Sequence, residues 1–189
     1  MLGFRQIDEA LLANFEHNEI DLLSSLIQQL IELLASNSRS TKCQSSDPLD
    51  LLEWELNSCY EVKHLQDDPI MQRLFPVAYP NDAHAAYDFH RFTQPSLCDD
   101  KIVKGMTVLE DLGHASKDGR CCFHSDNVDA WLTTLTNLRL SLAVRLEIND
   151  ADDAEKLANL PQNNPRAVVF SVYEWIGWVQ ESLIAAIEE

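Results

Sequence analysis

The sequence predicts a mainly α-helical protein: one domain over residues 1–189, an orthogonal or up-down bundle of about six or seven helices. Three observations predict it. Residues 128–148 carry Trp131, Leu135, Leu138, Leu142 and Leu146, and residues 166–187 carry Val168, Val172, Trp175, Val179, Leu183 and Ile187. Steps of three or four return to the same side of a helix of about 3.6 residues per turn, so each segment must bury one face. Near the other end, Leu23, Leu26, Ile27, Leu30 and Leu34 repeat that spacing. Finally, Asp47-Pro48, Asp68-Pro69 and Asn164-Pro165 each join a capping side chain to a proline suited to the first helical position.

In chain order, residues 3–6 and 11–15 are short runs of some β character around Asp8-Glu9, compatible with a small N-terminal hairpin. Asn18 is the expected cap of the first helix, with Glu19 and Asp21 in its first turn and its end near Ala35. Residues 36–46, with five serines and no large apolar side chain, read as a flexible surface loop containing Cys43. Asp47-Pro48 opens a helix through Cys59 with Leu49, Leu52 and Leu56 inward. Asp68-Pro69 opens a short one ending before Pro76, and 76–80 is a proline-stiffened connector. Residues 82–91 form the next helix. Thr93 caps another through Leu112, with Pro95 in its first turn, Leu97, Ile102, Met106 and Leu109 inward, and Gly105 weakening its middle. Residues 113–124 read as a loop or short ribbon, and Ser125 or Asp126 starts the first of the two C-terminal helices. Residues 150–155 read as an exposed acidic turn, and Asn164-Pro165 starts the last helix.

Charge narrows the function classes. With 31 acidic and 14 basic side chains the formal net charge is −17. Such a surface repels a phosphate backbone, so direct nonspecific DNA binding is disfavoured, while encounters with basic protein partners are favoured. No segment approaches the roughly 18 uninterrupted apolar residues of a membrane span, and the N-terminus lacks a leader pattern, so a cytosolic protein is expected. Five cysteines, Cys43, Cys59, Cys98, Cys121 and Cys122, form no small-scaffold framework, so resting thiols are expected.

Three blocks then carry a resemblance. Asp68-Pro69, Arg73-Leu74-Phe75-Pro76 and Ala78-Tyr79 form the first; Ala130-Trp131-Leu132, Asn137-Leu138-Arg139-Leu140, Leu142 and Arg145-Leu146 the second; the run from Tyr173 to Leu183 the third. In this order they resemble the actinobacterial family known as domain of unknown function 2017. The resemblance implies a regulator of the oxidative-stress response that acts with an extracytoplasmic-function sigma factor on thiol-metabolism genes. It supplies no agreed catalytic residues to carry over, and neither an enzyme activity nor a cofactor is expected.

A redox switch needs an accessible thiolate and a second thiol with Cα atoms roughly 4.4–6.8 Å away. Cys121 and Cys122 lie between Arg120 and His124, and because a bond between neighbours is strained, either would pair more easily with Cys43, Cys59 or Cys98. Equally, all five are ordinary cytosolic thiols. No metal site is assigned. Glu61 with His64 and Asp111 with His114 have the three-residue spacing of bundle-core metal ligands but lack further acidic partners, and Cys121, Cys122 and His124 lack paired CxxC spacing.

Arg139, Glu174 and Glu181 are charged residues inside apolar blocks; the two glutamates share a helix face, and an ion pair from Arg139 to either would fix helix register. Trp175 and Trp178 lie on neighbouring faces, so one of them is a candidate for an interface with a partner or a second copy in a homodimer. Three classes compete: the partner-binding stress regulator, a non-redox adaptor, and, third, a metal-dependent enzyme.

Overall fold

The computed structural model describes residues 2–40, 68–115 and 118–188. Helices dominate, with a small antiparallel sheet at the N-terminus. Strands β1 (Leu2–Ile7) and β2 (Ala10–Asn14) form the expected hairpin, and β3 (Arg120–His124) adds to β2, giving the order β1-β2-β3. Among the described residues six α-helices follow: α1 (His17–Ser40), α2 (Pro69–Leu74), α3 (Ala83–Gly113), α4 (Val128–Leu146), α5 (Ala151–Ala158) and α6 (Pro165–Glu188). Helix α4 packs against α2, α3 and α6, α1 packs along α3, and β1 lies on α6.

The sheet is amphipathic, as period-two alternation requires. Phe4, Leu11, Ala13, Cys121 and Phe123 point inward and are buried. There they meet Trp131 of α4. Its indole stacks on Phe123 with centroids 4.8 Å apart, meets Phe4 edge-on at 5.6 Å, and lies over Phe15 at 6.3 Å. Its Nε1–H donates to the buried Asp111 carboxylate at 2.9 Å, and Asn127 Nδ2 donates to both Asp111 oxygens at 3.1 Å. The hairpin is thereby sealed onto the helices by rings whose one polar atom is satisfied.

Of the two C-terminal stripes, that of α4 is buried throughout, from Trp131 to Leu146. The stripe of α6 is displaced. Phe170, Ile176, Gly177, Val179, Leu183 and Ala186 are buried, while Val168 and Ile187 are exposed. This helix is apolar on more than one side, and spacing alone does not choose between sides.

Five local expectations are corrected. Helix α1 continues to Ser40, so residues 36–40 are not loop; within it the side chains of Ser36 and Asn37 both donate to the Leu33 carbonyl. Its first turn also begins earlier, with the Glu16 amide donating to the Glu19 carboxylate at 2.7 Å. Residues 82–112 do not form two helices: Asp82 caps one continuous α3, and Pro95 lies in its interior. An interior proline costs about 3 kcal/mol, which apolar burial along the helix, at Cys98, Val108 and Leu112, offsets. Its inward face is therefore not the expected one, since Leu97 and Met106 are exposed and Gly105 instead abuts Ile31 of α1. Lastly, the acidic stretch at 150–155 is the start of α5. Asp150 accepts the Asp153 amide at 3.0 Å, Asp152 and Asp153 complement the positive end of the helix, and Leu157 is buried against Leu146 and Phe170. Cys43, Cys59, the 47–59 helix, Glu61 and His64 lie outside the described residues.

Candidate functional site

Two places gather the residues singled out in the sequence. The first is the sheet. Alternation along β3 sends Cys121 inward and Cys122 outward, so neighbouring thiols occupy opposite faces. Cys121 is fully buried and its Sγ–H donates to the Asp111 carbonyl at 3.6 Å. Burial first, and the nearby Asp111 charge second, push its thiol up to about 12. Cys98 is likewise buried, on α3. Cys122 is exposed. It pairs across the sheet with Leu12, which pairs in turn with Arg5, while Arg120 and His124 flank it on its own strand and face. His124 also approaches Asp126 at 3.1 Å and Glu9 at 3.6 Å. Thus the one exposed thiol among the described cysteines stands on a surface carrying two arginines and a histidine, in a strongly acidic chain.

This arrangement predicts selective chemistry. Iodoacetamide at neutral pH is expected to modify Cys122 rapidly and to leave Cys121 and Cys98 untouched until the protein is unfolded. Peptide mapping after a timed pulse reads the order, and early labelling of Cys121 would contradict the closed sheet. Among the described residues no three metal-ligating side chains cluster, and Cys121 and His124 face opposite ways.

The second place is a cavity of about 510 Å³ between α2, α4, α5 and α6. Arg139 of α4 lines it and does not pair with Glu174 or Glu181, both of which are exposed. Instead its Nη1–H donates to Gln180 Oε1 at 3.1 Å, and its guanidinium lies over the Tyr173 ring with Cζ 5.4 Å from the centroid. Gln180 is itself oriented by donating to Thr136 Oγ1 at 2.8 Å. Gly177 makes room for the guanidinium, since a side-chain carbon there would stand 3.4 Å from Arg139 Cζ. Tyr173, Gln180 and Arg73, not among the site residues expected from the sequence, also line the cavity. A signal was present: Tyr173, Gly177 and Gln180 are spaced four and three apart, one helix face with a gap where the arginine lies.

Of the two tryptophans, Trp175 is half-buried beside Leu22, Val168 and Val172, with its Nε1 buried and lacking a partner. Trp178 is 44% exposed, alongside exposed Glu174 and Glu181. No helix among the described residues is long and apolar enough to cross a membrane.

The chain belongs to the family described as domain of unknown function (DUF2017), whose model matches residues 1–187. Similar proteins come from mycobacteria. A Mycobacterium leprae protein bearing the AosR name is 31% identical over 183 residues, 90% of this chain and 79% of its own. The oxidative stress regulator AosR of Mycobacterium tuberculosis strain H37Rv is 30% identical over 182 residues, 88% of this chain and 77% of its own, and that of Mycobacterium bovis has the same figures. No solved structure matches.

Proposed function

We propose that this protein is a cytosolic regulator of the oxidative-stress response that acts through a protein partner, with Cys122 as its oxidant-facing thiol. The observation that carries the reading is its similarity, over about nine-tenths of its length, to proteins named oxidative stress regulator. Its charge of −17 supports action through a basic protein surface rather than through the DNA backbone. The family resemblance makes an extracytoplasmic-function sigma factor the expected partner. The exposed indole of Trp178 is the proposed anchor for that partner or for a second copy of the chain. Cys122 is the entry point for oxidation because Cys121 and Cys98 are buried; its disulfide partner would be Cys43, Cys59 or, after local opening, Cys98. The reading assigns no catalytic residue, cofactor or metal.

Affinity capture of the tagged protein with and without brief peroxide tests this, with cysteine state followed by mass spectrometry. Sigma-factor recovery is expected to change on oxidation, and Cys122→Ser is expected to abolish the change. Recovery indifferent to peroxide, with every thiol reduced, would replace it with a non-redox adaptor.

A further inference from the structure

We propose that the cavity between α2, α4, α5 and α6 is a receptor site for a small oxyanion, a carboxylate or phosphate carried by a metabolite-sized molecule. The site stands apart from the regulator reading, since none of its lining residues belongs to the sheet. Its volume of about 510 Å³ falls within the range of small-molecule sites, roughly 300–1,000 Å³.

Charge is the first argument. Acidic side chains outnumber basic ones 31 to 14, yet two of the 14, Arg73 of α2 and Arg139 of α4, line this one hollow, and neither forms an ion pair among the described residues. Asp150 also lines the cavity, but its carboxylate accepts the Asp153 amide as the cap of α5.

Preorganisation is the second. The Arg139 guanidinium is held on one face by Tyr173 and at one nitrogen by Gln180, so its position is fixed before any ligand arrives. Only Nη1 donates to a protein atom among the described residues, so the guanidinium keeps donors to spare. A guanidinium offers five donors in a planar fork suited to two-oxygen groups. An oxyanion drawn to this fork would accept from those spare donors. The third argument is convergence: Arg73 comes from the first of the three family blocks, Arg139 from the second, and Tyr173 and Gln180 from the third. Blocks separated in the chain thus meet at one hollow.

The test titrates the intact protein with sodium phosphate and, separately, sodium succinate, at ionic strength held constant with sodium chloride. The Arg139 side-chain Nε–Hε resonance reports occupancy. Saturable shifts are expected, with affinity falling about tenfold or more in both Arg73→Gln and Arg139→Lys, since neither replacement keeps the fork. Tighter phosphate binding would assign a phosphoryl ligand and tighter succinate binding a carboxylate. Absence of saturable binding to either probe, or unchanged affinity in Arg73→Gln, overturns the proposal. Should Arg139→Lys fail to fold, the exposed Arg73 variant decides alone.

Discussion

Trp131→Ala is expected to lower stability by about 3–5 kcal/mol, read as a shift of the denaturation midpoint at constant slope. Three losses add. The indole is completely buried, so its removal opens a large cavity between sheet and helices. The Phe4, Phe15 and Phe123 rings lose their common neighbour. Asp111 loses one of its donors while remaining 9% exposed. Trp131→Phe keeps one ring for the phenylalanine cluster while losing the second ring of the indole and its N–H, at a smaller expected cost of about 1–3 kcal/mol. An alanine variant within about 1 kcal/mol of the parent would show that the hairpin does not depend on this ring for its attachment.

Gly119→Ala is the second large effect. Gly119 precedes β3 with φ of +75°, in the left-handed region where a side chain costs roughly 1–2 kcal/mol. Moreover, a Cβ there would stand 1.9 Å from the Phe15 carbonyl oxygen, so the backbone must part, taking with it the bond from the Phe15 amide to the Gly119 carbonyl at 2.9 Å. A total of about 2–4 kcal/mol is expected. The variant also separates local from global damage. Its Cys121 is expected to alkylate much faster than the parent's at a temperature where both remain folded, because the opened junction lies two residues away. Equal protection of Cys121 would mean that the sheet closes without this turn.

Legibility in the sequence followed the range of the forces involved. The α4 stripe was readable because packed elements meet that side of the helix along its whole length, and Asp68-Pro69 and Asn164-Pro165 announced their helices through purely local bonds. Pro95 misled for the opposite reason. The rule that ends a helix near proline is local, whereas what carries α3 through it is packing of residues on both sides against distant segments. At 150–155 composition suggested an exposed turn, although Asp150 and the acids behind it are what a helix start requires. Cys121 and Cys122 were equal candidates in the chain, and the register of β3 makes one interior and one exterior. A change of register by one residue would exchange them, and sequence patterning around Cys121-Cys122 is too short to fix it. Arg139 stood out as a charge in an apolar block, but its neighbours follow from how α4 and α6 cross, which spacing along either helix does not contain.

The contact between β1 and α6 has a consequence for how the molecule is made. Gly3 lies against Ser182, near opposite ends of the chain, and Phe4 completes a ring cluster whose other members include Phe123 and Trp131. A ribosome adding about 5–20 residues per second has the first strand in hand well before it delivers the last helix. During that interval, on the order of ten seconds or more, Phe4 and its neighbours have no permanent seat. The nascent hairpin is therefore a natural client for whatever shields emerging chains, and its closure waits on the delivery of α6.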